Sequence, residues 1–218
     1  MTPQLDLSRS KLTTPRAAAI AGILFSILYL TAMILIRQSV PERPEDLGGW
    51  LTTSWKTVAL ALNILPFAGI AFLWFIGVVR DRLGEHEDRL FASVFFGSGL
   101  LFLAMLFASA ALAGGIVSMY GTTPGRLIEF GIYTYGRLVI YELMNVYTLK
   151  MAGVFMMSMS TLILRTGIAP RWMALLGLIL ALFLLLSLGF FVWAPVVFPL
   201  YVLMISIYIL VANYRMAN

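Results

Sequence analysis

The sequence predicts an all-α, polytopic transmembrane bundle of six helices, forming one membrane-embedded domain over residues 1–218 with both termini in the cytoplasm. Three observations predict it. Of 218 residues, 61% are hydrophobic and 11% are charged, whereas a soluble domain runs nearer one half and one quarter. The apolar residues gather in runs of the length that crosses a bilayer, about 20 residues of helix. Lysine and arginine are shared unequally between the connections, which is what orients such a chain.

The first span is Ala17 to Ile36, 20 residues without a charge. Arg9, Lys11 and Arg16 precede it, as in a secretion signal, but the run is longer than a signal core of roughly 7–15 residues. No small-residue cleavage site follows, so it reads as a retained helix. The second span is 58–79, interrupted by Asn63 and Pro66. The third, 90–117, is 28 residues long and is expected to tilt or emerge at one end. The fourth, 141–164, alone carries charges inside. The fifth and sixth, 172–192 and 196–212, are expected to be joined tightly through Trp193, Ala194 and Pro195, since proline removes an amide and disfavours helix before it.

With the N-terminus inside, cytoplasmic segments hold nine basic residues: Arg9, Lys11, Arg16, Arg80, Arg82, Arg89, Arg165, Arg171 and Arg215. The outer segments hold five: Arg37, Arg43, Lys56, Arg126 and Arg137. This asymmetry places both ends in the cytoplasm. It also accounts for the net charge of +5 without nucleic acid, for which no basic run with interleaved aromatics is present. There are no cysteines, which excludes disulfides and thiolate chemistry.

Two outer connections are long. Residues 38–55 contain Pro41, Pro44, Gly48 and Gly49; residues 118–137 contain Pro124, Gly121, Gly125, Gly131 and Gly136. Trp50, Trp55, Tyr120, Tyr133, Tyr135 and Tyr141 fit an aromatic belt at the outer interface, and short re-entrant or surface-lying helices would also fit these connections.

Polar residues inside the spans are the candidates for function, because a charge at mid-bilayer costs roughly 2.5–3.5 kcal/mol and usually faces the bundle or a wet cavity. Helix four carries Glu142, Asn145 and Lys150. At about 100° per residue Glu142, Asn145 and Leu149 share a face, with Lys150 about 80° round from Glu142 and about 12 Å along the axis. In helix two, Pro66 frees the carbonyl of Leu62 close to Asn63. Lys150, Glu142, Asn145 and Asn63 are therefore expected to line one polar binding pocket in the outer half of the bundle. The plainer readings are that Glu142 sits at headgroup level, Lys150 snorkels, and the asparagines bond neighbouring helices.

No catalytic, metal or cofactor signature accompanies them. His86, the single histidine, lies in Glu85-His86-Glu87-Asp88, whose adjacent side chains cannot converge on zinc without distant partners. The run from Met156 to Thr161 reads as helix packing. Ala108, Ser109, Ala110, Ala111, Ala113, Gly114 and Gly115 give helix three a flank of small residues suited to close approach, hence to a homo-oligomer or a membrane-protein partner beside the lipid bilayer.

The connection Arg165-Thr-Gly-Ile-Ala-Pro170-Arg171-Trp172, followed by Ala174-Leu-Leu-Gly177-Leu, resembles a feature of uncharacterised six-helix bacterial membrane proteins. Arg16-Ala-Ala-Ala-Ile-Ala-Gly22-Ile-Leu-Phe at the first helix is similar to it too. The resemblance implies an inner (plasma) membrane location and no activity. The motif also has a physical reading: Gly167 ends a helix, Pro170 starts the next, and Arg171 with Trp172 anchors an interface.

The expected function is a small-solute or ion carrier or channel-like protein. A structural or regulatory membrane subunit is the alternative, and a lipid-acting membrane enzyme the third.

Overall fold

The computed structural model describes residues 14–41, 48–83, 89–122, 131–187, 191 and 193–217. The Glu85-His86-Glu87-Asp88 turn, Arg126 and the first basic residues lie outside them. Among the described residues all regular structure is helical: α1 (Thr14–Ser39), α2 (Trp50–Thr53), α3 (Trp55–Leu83), α4 (Arg89–Thr122), α5 (Ile132–Glu142), α6 (Thr148–Thr166), α7 (Arg171–Leu186) and α8 (Ala194–Ala217). A π-helical turn, Leu143–Tyr147, joins α5 to α6. These make one continuous run of 35 residues.

Among the described residues five helices are long and apolar enough to cross a membrane; the run expected as the fifth span, α7, has 16 residues. Large apolar side chains point outward, among them Phe67, Trp74 and Ile179, each about two-thirds exposed. Such a surface suits lipid. Within such helices the backbone amides and carbonyls satisfy one another as a hydrocarbon solvent demands, except where Pro66 in α3 and Pro199 in α8 supply no N–H.

The five long helices meet at a cluster of phenylalanines, one from each: Phe25 of α1, Phe72 of α3, Phe102 of α4, Phe155 of α6 and Phe198 of α8, all buried. Their ring centroids stand 4.6 Å apart for Phe25–Phe72 and Phe102–Phe198, and 5.2 Å for Phe72–Phe155. Tilted and edge-on pairs of this kind add about 0.5–1.5 kcal/mol each beyond burial. The centre of the bundle is thus filled with aromatic rings.

α7 sends no ring to this centre and packs against α6. Two glycines let it approach. A Cβ at Gly153 would lie 3.1 Å from the carbonyl oxygen of Ala181, and one at Gly177 would lie 2.2 Å from Ser160 Oγ and 2.5 Å from the Tyr201 ring. Beside Gly177 the hydroxyls of Ser160 and Tyr201 are hydrogen-bonded at 2.8 Å, tying α6 to α8. The α6–α7 turn is built as its sequence predicts. Gly167 takes φ 68°, its N–H bonds Ile163 O at 3.0 Å, and Pro170 precedes the first residue of α7.

Three boundaries depart from the sequence expectation. The fourth apolar run starts at Ile132 instead of 141, so Tyr133, Tyr135 and Arg137 belong to a helix and not to a loop. The fifth ends at Leu186, six residues before 192, where Ser187 becomes extended with ψ 121°. Finally, Pro195 sits in the first turn of α8 and not in a link before it. That is a position where a missing amide costs nothing.

Candidate functional site

Near the end of the bundle that carries Trp50, the helices diverge around a cavity of about 140 Å³. Met33 and Ile36 of α1, Leu62 and Leu65 of α3, Ala110 and Ala113 of α4, and Ile140 with Met144 form its wall. The wall is apolar. Ser109, also in the lining, turns its hydroxyl to Leu106 O at 2.9 Å and to Met144 Sδ at 3.6 Å. A cavity of this size has room for a body about as large as benzene.

Its end is closed by α2 and α5. Gly48, with φ 89°, turns the chain into α2, and a Cβ there would press on the Tyr133 ring at 3.3 Å. This close approach buries Leu51 against Ile116 and Tyr133. The Trp50 indole N–H donates to Tyr133 Oη at 2.9 Å, and Arg137 Nη1 donates to the same oxygen at 3.2 Å. Arg137 Nη2 also reaches the carbonyl of Pro41. The cavity therefore has apolar sides and a hydrogen-bonded roof.

A larger, more open groove of about 470 Å³ runs between α3 and α4. Ala59, Leu62, Asn63, Pro66, Phe107, Ala110, Ala111, Gly114, Val117 and Ser118 line it. Leu62 and Ala110 border both spaces, so these two side chains divide the groove from the cavity.

The four residues expected to share a polar pocket are placed as follows. Asn63 is exposed in the groove, and its Nδ2 donates to Ala59 O at 2.8 Å. Glu142 is exposed at the end of α5. Asn145 is buried in the π turn and donates to Tyr141 O at 3.1 Å. Lys150 is half-buried, and its Nζ donates to Ser187 O at 2.7 Å and to Leu185 O. Each of these hydrogen bonds ends on a backbone carbonyl and none on another member of the set.

The π turn explains why Glu142 and Asn145 part company. It inserts one residue into the helix, advancing the face by about 100°. Asn145, Thr148 and Leu149 turn inward while Glu142 stays out. Thr148 donates both its backbone N–H and its hydroxyl to Leu143 O, the hydroxyl at 2.7 Å.

Lys150 serves the end of α7. The last carbonyls of a helix lack internal donors and carry its negative pole. The ammonium satisfies two of them at the point where α7 stops.

Sequence reading missed the cavity. Trp50 and Tyr133 read as belt residues and Arg137 only as a loop charge. The available signal was the paired glycines before Trp50 and the alanines at 110 and 113, which leave space opposite Met33 and Met144. Among the described residues no three of His, Cys, Asp and Glu are grouped to hold a metal ion. No family model matches the chain, and neither the curated proteins nor the solved structures contain a significant match to it.

Proposed function

We propose that this chain is a multi-pass protein of the inner (plasma) membrane, with six crossings and both termini in the cytoplasm, that binds a small apolar or amphipathic molecule in the outer half of the bundle as the loading stage of a carrier. The observation that carries this reading is the apolar cavity of about 140 Å³ beneath the Trp50–Tyr133–Arg137 roof. Its wall selects against ions and strongly hydrated solutes, whose desolvation nothing there repays. The ring-filled bundle centre argues in the same direction, against a standing aqueous pore and for a binding step.

A small diazirine-bearing alkane, photolysed with the protein in lipid nanodiscs, tests the proposal. Labels are expected on peptides containing Met33, Ile140 and Met144, and are expected to disappear in Ala113→Phe, which fills the cavity. Labelling confined to outward residues such as Trp74 and Ile179, unchanged in that variant, rules the binding site out.

A second reading as a structural subunit or homo-oligomer has its own support. Ala104, Ala108, Ala111, Gly115 and Ser118 are all exposed along one stripe of α4. Only 22% of the most apolar stretch of α4 is buried, the lowest share among the five long helices. Small residues at this spacing allow a neighbouring helix to pack closely. Cross-linking in the native membrane that yields a discrete dimer through Ala111→Cys supports it.

A further inference from the structure

The groove between α3 and α4 is lined by exposed Asn63, Pro66, Ala111 and Ser118, and Leu62 and Ala110 border both it and the cavity. We propose that groove and cavity are two subsites for one ligand, a neutral hydroxyl-bearing amphiphile that enters sideways from the bilayer, placing its head in the groove and its apolar body past Leu62 and Ala110. This rests on the binding reading of the cavity given above.

The head chemistry follows from what the groove presents. Pro66 has no N–H, so the Leu62 carbonyl lacks the donor that a helix would supply four residues on. On the next residue, Asn63, which lines the groove, donates its amide nitrogen to Ala59 O and keeps its Oδ1 as an acceptor. Two neighbouring acceptors at membrane depth ask for a donor. A hydroxyl provides one. Among the described residues no charged side chain lines the groove. A carboxylate or phosphate head would lie there without a counter-ion, at a cost that a neutral head avoids. The body chemistry follows from the wall: one face of the divide is an alanine, and the sides beyond it, Met33, Ile36, Leu65 and Met144, are apolar up to the Trp50–Tyr133–Arg137 roof.

The test uses the full chain in nanodiscs and a photoreactive hexanol carrying a diazirine in its chain, whose six carbons match a cavity of about 140 Å³. Label is expected on α3 and α4 peptides containing Leu62 and Ala110, displaced by unlabelled hexanol at least about fivefold more readily than by hexanoate. Asn63→Leu, an exposed substitution that the fold should tolerate, is expected to lower labelling about fivefold, the worth of one net hydrogen bond. It should leave the alkane probe's labelling of Met33 and Met144 unchanged. Ala111→Phe, also exposed, is expected to obstruct the groove and reduce labelling by the alcohol. Equal competition by hexanoate, or undiminished alcohol labelling in Asn63→Leu while the alkane still labels the cavity, overturns the two-subsite proposal alone. Failure of the alkane to label the cavity overturns both readings together.

Discussion

The ammonium of Lys150 rests 2.7 Å from the carbonyl oxygen of Ser187, one residue beyond the end of α7, and also bonds Leu185 O. A helix that stops after 16 residues rises about 24 Å, short of a hydrocarbon core of about 30 Å. Its last carbonyls would then face an apolar medium without donors. A cation borne on the adjacent helix removes that penalty and meets the negative pole of α7.

Lys150→Met is therefore expected to lower stability by about 2 kcal/mol, the cost of leaving buried carbonyls unsatisfied. The readout is the melting temperature and the monodisperse fraction in detergent. Lys150→Arg, which keeps the charge and the donors, is expected to recover most of the loss. The polar-pocket expectation makes the opposite forecast, a stable protein that no longer binds. An unchanged melting temperature in Lys150→Met decides for the pocket and against the cap.

Glycines at two close-sounding positions should respond with opposite signs. At Gly177 an added Cβ meets Ser160 Oγ at 2.2 Å and the Tyr201 hydroxyl at 2.7 Å. Gly177→Ala is expected to break the Ser160–Tyr201 bond and cost about 1–3 kcal/mol. At Gly77 nothing lies within 4 Å and the residue is exposed in mid-helix. Gly77→Ala is expected to gain about 0.5–1 kcal/mol from lost unfolded-state freedom. Thermal melts of the two variants side by side measure both.

The roof of the cavity depends on one oxygen. Tyr133→Phe keeps the ring that packs on Leu51 and Ile116 but removes the acceptor shared by Trp50 and Arg137. The expected loss is about 1–2 kcal/mol, with faster amide exchange over Trp50–Thr53 and faster dissociation of the alkane probe. Exchange in α2 that matches the wild type shows that the roof is held by packing alone.

How far the sequence could be read follows the physics of each feature. Apolar runs are legible because lipid leaves helix as their only outlet, and Gly167 with Pro170 marked the α6–α7 turn because their backbone limits are local. Arg137 was illegible because its partners, Tyr133 and Pro41, come together only once α2 and α5 are folded. Asn145 could be placed on a helix but not on its face, since Leu143–Tyr147 gives no composition signal for the residue that a π turn inserts. Lys150 announced itself as an intramembrane charge; its partners are carbonyls, and carbonyls have no letter in a sequence.

Topology is the last matter open to a direct test, and a chain without cysteine gives a clean background. Thr52 and Thr166 are exposed at opposite ends of the bundle's path, with α3, α4 and the α5–α6 run between them. Three crossings put them on opposite sides, whichever way the bundle faces. In intact cells Thr52→Cys is expected to react with a membrane-impermeant maleimide, and Thr166→Cys only after permeabilisation. The reverse pattern inverts the orientation inferred from the basic residues. Trp193→Cys then decides whether α7 crosses. Exposed just before α8, it should react from outside if Ser187 to Trp193 completes the distance that 16 helical residues leave short. Reaction of Trp193→Cys only after permeabilisation, together with Thr166→Cys, makes α7 a re-entrant helix held by Lys150 and reduces the bundle to five crossings.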